Sequence, residues 1–147
     1  MVGMEILKPL VVLAGWTMVM WVWMYVTRIP AMGKAGIDSK GLVGGTGESL
    51  DKVLPPEVQW KSHNYTHLME QPTIFHATVM ILALMGASAT DVALAWGYVA
   101  LRIVHSIWQA TVNKVSVRFA LFNLSTICLL VMAIHGFTLT ALHTGGM

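Results

Sequence analysis

Four runs of low charge punctuate the chain, Pro9 to Thr27, Gln71 to Thr90, Val92 to Val112 and Phe119 to Leu142. Each is close to the ~20 residues a helix needs to cross a ~30 Å hydrocarbon core. The pattern predicts an all-α membrane protein, an antiparallel four-helix transmembrane bundle in a single domain over 1–147, with spans near 6–28, 62–88, 91–112 and 116–142. The first run reads as a span and not as a signal peptide, because its apolar stretch is too long and no small-residue cleavage site follows it closely. Trp21, Trp23, Tyr25 and Arg28 end that run just before Pro30, where interfacial anchors belong.

The polar segments between the runs differ in kind. From Ile29 to Trp60 the chain turns to Gly, Ser, Asp and Lys with the pair Pro55-Pro56, a long loop with a short amphipathic helix expected around Ser49 to Val53. A loop of that length in a compact protein is either mobile or functional. The second and third runs are separated only by "GASATD", which predicts a tight antiparallel hairpin with Asp91 capping the third helix. "NKVSVR" separates the third from the fourth. Arg28, Lys34, Lys40, Lys52 and Lys61 gather in the first loop and Lys114 and Arg118 beside the last, against Lys8 alone on the other side. The positive-inside rule then puts the first and third loops in the cytoplasm and both termini across the membrane.

Composition agrees with the pattern: 56% of residues are hydrophobic and 11% charged, where soluble domains have about a quarter charged. A net charge of +2, without basic runs carrying interleaved aromatics, argues against a nucleic-acid partner. Cys128 is the sole cysteine, so no intrachain disulfide forms, and its position in the fourth run suits packing.

Chemistry-bearing residues concentrate on two spans. Arg102 stands near the middle of the third, about 15 Å from either end at 1.5 Å per residue. A charge at that depth is costly and normally faces the bundle interior with a partner. His105, Gln109 and Asn113 follow on the same side, a polar stripe running toward the cytoplasmic end. At the start of the second span His63, His67 and Glu70 share a helical face, which makes Glu70 the expected partner of Arg102 across the hairpin. Pro72 removes a backbone bond just beyond and predicts a kink. Such a pair is compatible with a purely structural role that fixes helix register. Two His at i, i+4 with a carboxylate one turn on is a feasible metal set, but no second carboxylate–histidine motif completes a di-metal bundle site, and no metal is assigned. His135 and His143 read as interfacial or tail residues.

Two segments carry a resemblance. "LRIVHSIWQATVNKVSVRFALF", with Arg102, His105 three residues on and Arg118 sixteen after the first, resembles the third-to-fourth helix signature of the MAPEG superfamily, the membrane-associated proteins of eicosanoid and glutathione metabolism. "HNYTHLMEQPTIF" is similar to the polar, carboxylate-then-proline start of that family's second helix. The resemblance implies a homotrimer of four-helix bundles, with glutathione as co-substrate between subunits near the cytoplasmic surface. By motif it places Arg118 at the thiolate-stabilising position and Glu70, Arg102 and His105 at other functional positions, and His63, His67, Gln109 and Asn113 on the same polar faces are expected to complete the glutathione site. The chain departs from the family pattern where His63 and His67 replace an Arg and an Asn, Gln109 a frequent aromatic, and Phe119 and Phe122 hydroxyl-bearing residues.

Two functions follow as expectations. One is a glutathione-dependent transferase or peroxidase acting on lipophilic electrophiles that arrive through the bilayer. The other is a non-enzymatic scaffold or lipid-binding protein on the same fold, since fold membership does not fix function. An ion pathway is the weakest alternative, because the ionisable groups cluster at one side of the membrane.

Overall fold

A computed structural model describes residues 2–143. Among them every regular element is helical: α1 (Val2–Glu5), α2 (Leu7–Lys34), a 3-10 turn (Gly47–Leu50), α3 (Pro56–Leu68), α4 (Gln71–Met85), α5 (Ala89–Thr111) and α6 (Val115–His143). The end of the tail, whose side of the membrane the charge pattern predicts, lies outside the described residues. Three stretches are long and apolar enough to cross a membrane: Gly3–Lys34, Pro56–Met85 and Val115–His143. Helix α5 falls outside that set because Asp91, Arg102, His105 and Gln109 interrupt it, and all four are buried.

Local chemistry sets the helix ends. α2 runs through Pro30 and closes with Gly36 at φ 69°, where Ile37 N–H reaches back to Met32 O at 3.1 Å and Gly36 N–H to Gly33 O at 3.2 Å. Those are the two bonds of a Schellman closure, and they need a left-handed residue. The hairpin turn stops α4 at Gly86, φ 110°. The cap of α5 is Ser88 and not Asp91: Ser88 Oγ accepts from Asp91 N–H, and the Asp91 carboxylate accepts from Ser88 N–H at 2.7 Å, a reciprocal capping box. The expected amphipathic helix at Ser49 to Val53 is instead the shorter 3-10 turn, which begins two residues earlier in the chain.

The expected kink at Pro72 is a full break. α3 ends at Leu68 and α4 begins at Gln71, with Glu70 between them at φ −87°, ψ −100°, outside helical space. Proline at the start of α4 tolerates this, since an N–H is unsatisfied there in any case.

α5 packs against α6, α3 and α2, and α4 packs against α6. Its inward positions Asp91, Ala95, Tyr98, Arg102, His105, Ser106 and Gln109 recur at helical spacing. The apolar core gathers Leu13 and Met20 of α2, Phe75, Val79 and Leu82 of α4, Tyr98 of α5 and Met132 of α6. Phe75 and Tyr98 stack with centroids 4.3 Å apart. α2 and α6 turn most of their apolar surface outward, including Val22, Val26, Ile127 and Ile134, as helices solvated by lipid do.

Candidate functional site

The polar face of α5 is tied to its neighbours through a residue the sequence pattern did not single out. Ser106, wholly buried, accepts from Trp16 Nε1 of α2 at 2.9 Å and from Asn64 Nδ2 of α3 at 2.7 Å. One hydroxyl oxygen thus joins three helices. Serine in an apolar span gave no motif signal; only its place four residues after Arg102, on the same face, could have pointed to it.

Around that joint the residues expected in a site separate into groups. His67, His105 and Phe122 form a ring cluster, with His67 5.2 Å from His105 and 5.6 Å from Phe122 between centroids. Arg102 is fully buried with its Cζ 5.6 Å from the Phe122 ring, a cation–π distance. The Arg102–Glu70 ion pair is not formed. The helix break swings Glu70 outward, where its exposed carboxylate accepts from His67 Nδ1 at 2.9 Å. All three guanidinium nitrogens of Arg102 are left without a hydrogen-bond partner among the described residues. An uncompensated buried charge is among the costlier arrangements a fold can hold. Gln109 Oε1 on the same face of α5 and Asn64 Oδ1 on α3 are also buried and unpartnered among the described residues.

His67 borders two cavities. One, about 210 Å³, is lined by His105, Arg118, Val115, Phe119 and Phe122. The other, about 450 Å³ and more polar, is lined by Thr46, Gly47, Ser62, His63, Glu70 and Gln109 among others. Arg118, in the first turns of α6, is half-buried and donates from Nη1 to Asn113 Oδ1 at 2.5 Å. Asn113 serves the backbone as well: at φ 56° it ends α5, its N–H bonding Trp108 O at 2.7 Å. Asparagine tolerates that left-handed conformation better than other non-glycine residues.

His63 is engaged elsewhere than expected. Its Nε2 donates to Asp51 Oδ1 at 2.9 Å, and Gln59 donates to the same carboxylate oxygen. The His63 bond, with Gln59's beside it, holds the Asp51 carboxyl below the usual range. His63 therefore pins the first loop onto α3, and it still lines one cavity with His67 and Glu70. Asp91, meanwhile, meets His135 Nδ1 at 2.8 Å, so His135 ties α6 to the first turn of α5.

A profile of the MAPEG family matches residues 6–138, nearly the whole chain. The chain belongs to the MAPEG family. No curated protein and no solved structure matches it. MAPEG membership accords with the all-helical fold and its membrane-crossing helices. Glu70, the carboxylate expected to partner Arg102, is the one displaced by the break, and the residues that meet Arg102's ring neighbour are His67 and His105.

Proposed function

We propose that the protein is a glutathione-dependent membrane transferase or peroxidase acting on lipophilic electrophiles, with α5 as a fourth span and three copies assembled around the site. MAPEG membership includes glutathione-related enzymes, which supports the class. The observation that carries the reading is Arg102: a fully buried guanidinium with every nitrogen unpartnered, set behind Phe122, which walls the cavity that takes in His67, His105 and Arg118. That donor set suits an anionic tripeptide, whose carboxylates would satisfy charged donors. The cytoplasmic position follows from the basic residues of the first and third loops.

In this reading Arg118 holds the thiolate. A free thiol has a pKa of about 8.5, so little is ionised at neutral pH. Lowering it by about two units takes roughly 2.7 kcal/mol of preference for the charged form, within reach of a charge-assisted contact in a partly dry cleft. Phe119 and Phe122 supply an apolar wall for the second substrate. The scaffold alternative draws on the same two phenylalanines, which stand where hydroxyls would orient the tripeptide, and on Arg118's existing bond to Asn113.

Ultraviolet absorbance of the thiolate at saturating glutathione tests the proposal. Wild-type protein should show the signal at neutral pH, Arg118→Leu should lose it and conjugate electrophiles far more slowly, and Arg118→Lys should fall between, keeping charge without the planar fork. Absence of signal in wild type, or conjugation by Arg118→Leu at the wild-type rate, would put the scaffold reading first.

A further inference from the structure

A further cavity lies between the last third of α2 and the first loop, adjoining the polar one at Thr46 and Gly47. It measures about 690 Å³, within the ~300–1,000 Å³ typical of ligand pockets. Tyr25, Ile29 and Met32 form its helix wall and Leu42, Val43 and Leu50 its loop wall, and Arg28 is the one charged residue lining it. We propose that this cavity is a lipid site, which takes one acyl chain of an anionic phospholipid and holds the phosphate at Arg28.

The loop wall is a built conformation. Gly44 and Gly45 sit at φ 71° and 94°, left-handed positions that side chains other than glycine rarely adopt. Arg28 fastens the loop, with Nη2 donating to Gly47 O at 2.7 Å and Nη1 to Ser62 Oγ at 2.9 Å. A Cβ at position 47 would stand 3.1 Å from Nη2, so glycine lets the strand of loop lie directly on the guanidinium.

Charge argues for an anion. Both Arg28 partners are neutral oxygens, and no carboxylate among the described residues is within ion-pair distance of it. Asp51 feels Arg28 at longer range but is held by His63 and Gln59. Each Nη has a second N–H, and a planar pair of donors matches phosphate oxygens. Lys34, Lys40 and Lys52 on the same stretch of chain are matched by Asp38, Glu48 and Asp51, so Arg28 itself is the cation that a phosphate would meet.

Position argues for a membrane lipid over a dissolved ligand. The helix wall continues the outward apolar face of α2 at Val22 and Val26, in a helix long and apolar enough to span. Trp21 and Tyr25, ring centroids 4.7 Å apart, stand where aromatic side chains sit at headgroup level. Val43 at the loop tip is 100% exposed, an apolar side chain without cover beside that face. Beyond Arg28 the cavity wall is again apolar, at Ile29, Met32, Leu42 and Leu50, so an acyl chain can lie there with its phosphate at Arg28.

The test uses full-length protein in phosphatidylcholine nanodiscs carrying a phosphatidylglycerol with a diazirine in its acyl chain, and maps the photolabelled peptides. Label should fall on Met32, Leu42 and Leu50, and unlabelled phosphatidylglycerol should compete where phosphatidylcholine does not. Leu42→Trp and Leu50→Trp fill the cavity from the loop side and should cut that label about tenfold. Leu42 is exposed, so its replacement loses little packing. Arg28→Gln should bring the two lipids to parity. Label confined to the outward positions Val22 and Val26, or cavity label unchanged by both tryptophans, overturns the site. Equal competition by phosphatidylcholine in wild type overturns the anionic headgroup. None of these readouts involves glutathione, so the outcome is independent of the proposed enzyme activity.

Discussion

Ser106 and Asp51 each hold two partners with one side chain. Ser106→Ala leaves the Trp16 and Asn64 donors buried without their acceptor, and an orphaned buried polar group costs about 1–3 kcal/mol. Thermal or denaturant unfolding in detergent should register a loss in that range, and Asn64→Leu combined with Ser106→Ala should lose less than the sum of the two single changes. Additive losses would mean that the bond contributes nothing. Asp51 governs the loop through pH. Its carboxyl is held below the usual range, so its hold on His63 and Gln59 is complete above the ordinary aspartate range and is lost as pH falls through the lowered value. Amide protection factors at residues 47–54, corrected for the intrinsic pH dependence of exchange, should fall on acidification in wild type, while Asp51→Asn should be less protected at neutral pH and respond less to acid. From sequence, His63 was legible as a functional candidate because it shares a helical face with His67 and Glu70. Its actual partner lies twelve residues back in an irregular loop, and periodicity carries no information about a contact of that kind.

Helices were legible to the extent that apolar runs reveal them, and the shortfall lies where polar residues extend or interrupt a helix. α2 continues six residues past Arg28, through Pro30 to Lys34, because a helix can outlast the apolar run that spans the bilayer. α3 starts at Pro56, well before the apolar run, for the same reason. The break at Glu70 was readable as a weakness, since Pro72 cannot supply a backbone donor, but the degree was not. That one difference decides the fate of the Arg102–Glu70 pair: on a continuous helix Glu70 faces inward, and on the broken one it turns to His67. At the other end of the bundle the α4–α5 turn depends on the reciprocal Ser88–Asp91 cap. Ser88→Ala should cost about 1 kcal/mol, the usual worth of such a cap. Asp91→Ala should cost more, because it also strips His135 of its partner on α6 and frees one helix from the other. If the two variants unfold at the same midpoint, the Asp91–His135 contact adds nothing beyond the cap.

At the scale of the whole molecule, the question is how the bundle sits in a membrane. Length and composition alone pick out three crossing stretches, and α5 is the helix in doubt. Its 23 residues reach about 34 Å at 1.5 Å per residue, enough for a ~30 Å core. Its charged and polar side chains are an obstacle only if they face lipid, and Asp91, Arg102, His105, Ser106 and Gln109 are instead all buried within the bundle. A helix shielded by α2, α3 and α6 can cross at a hydropathy that would not carry it alone. If α5 does cross, the α4–α5 turn and the α5–α6 turn lie on opposite sides, and the basic first loop lies with the latter. Cysteines at Lys40, Lys114 and Thr90, all exposed, test this once Cys128 is replaced by alanine. Impermeant thiol reagents should reach Lys40 and Lys114 from the cytoplasmic side only, because lysine and arginine concentrate there. Thr90 should be reached only from the opposite side. Labelling of Lys40 and Thr90 from one face would mean that Pro56–Met85 does not cross, and labelling of Thr90 and Lys114 from one face would leave α5 lying within the protein without spanning, so the pair of results locates the error as well as detecting it.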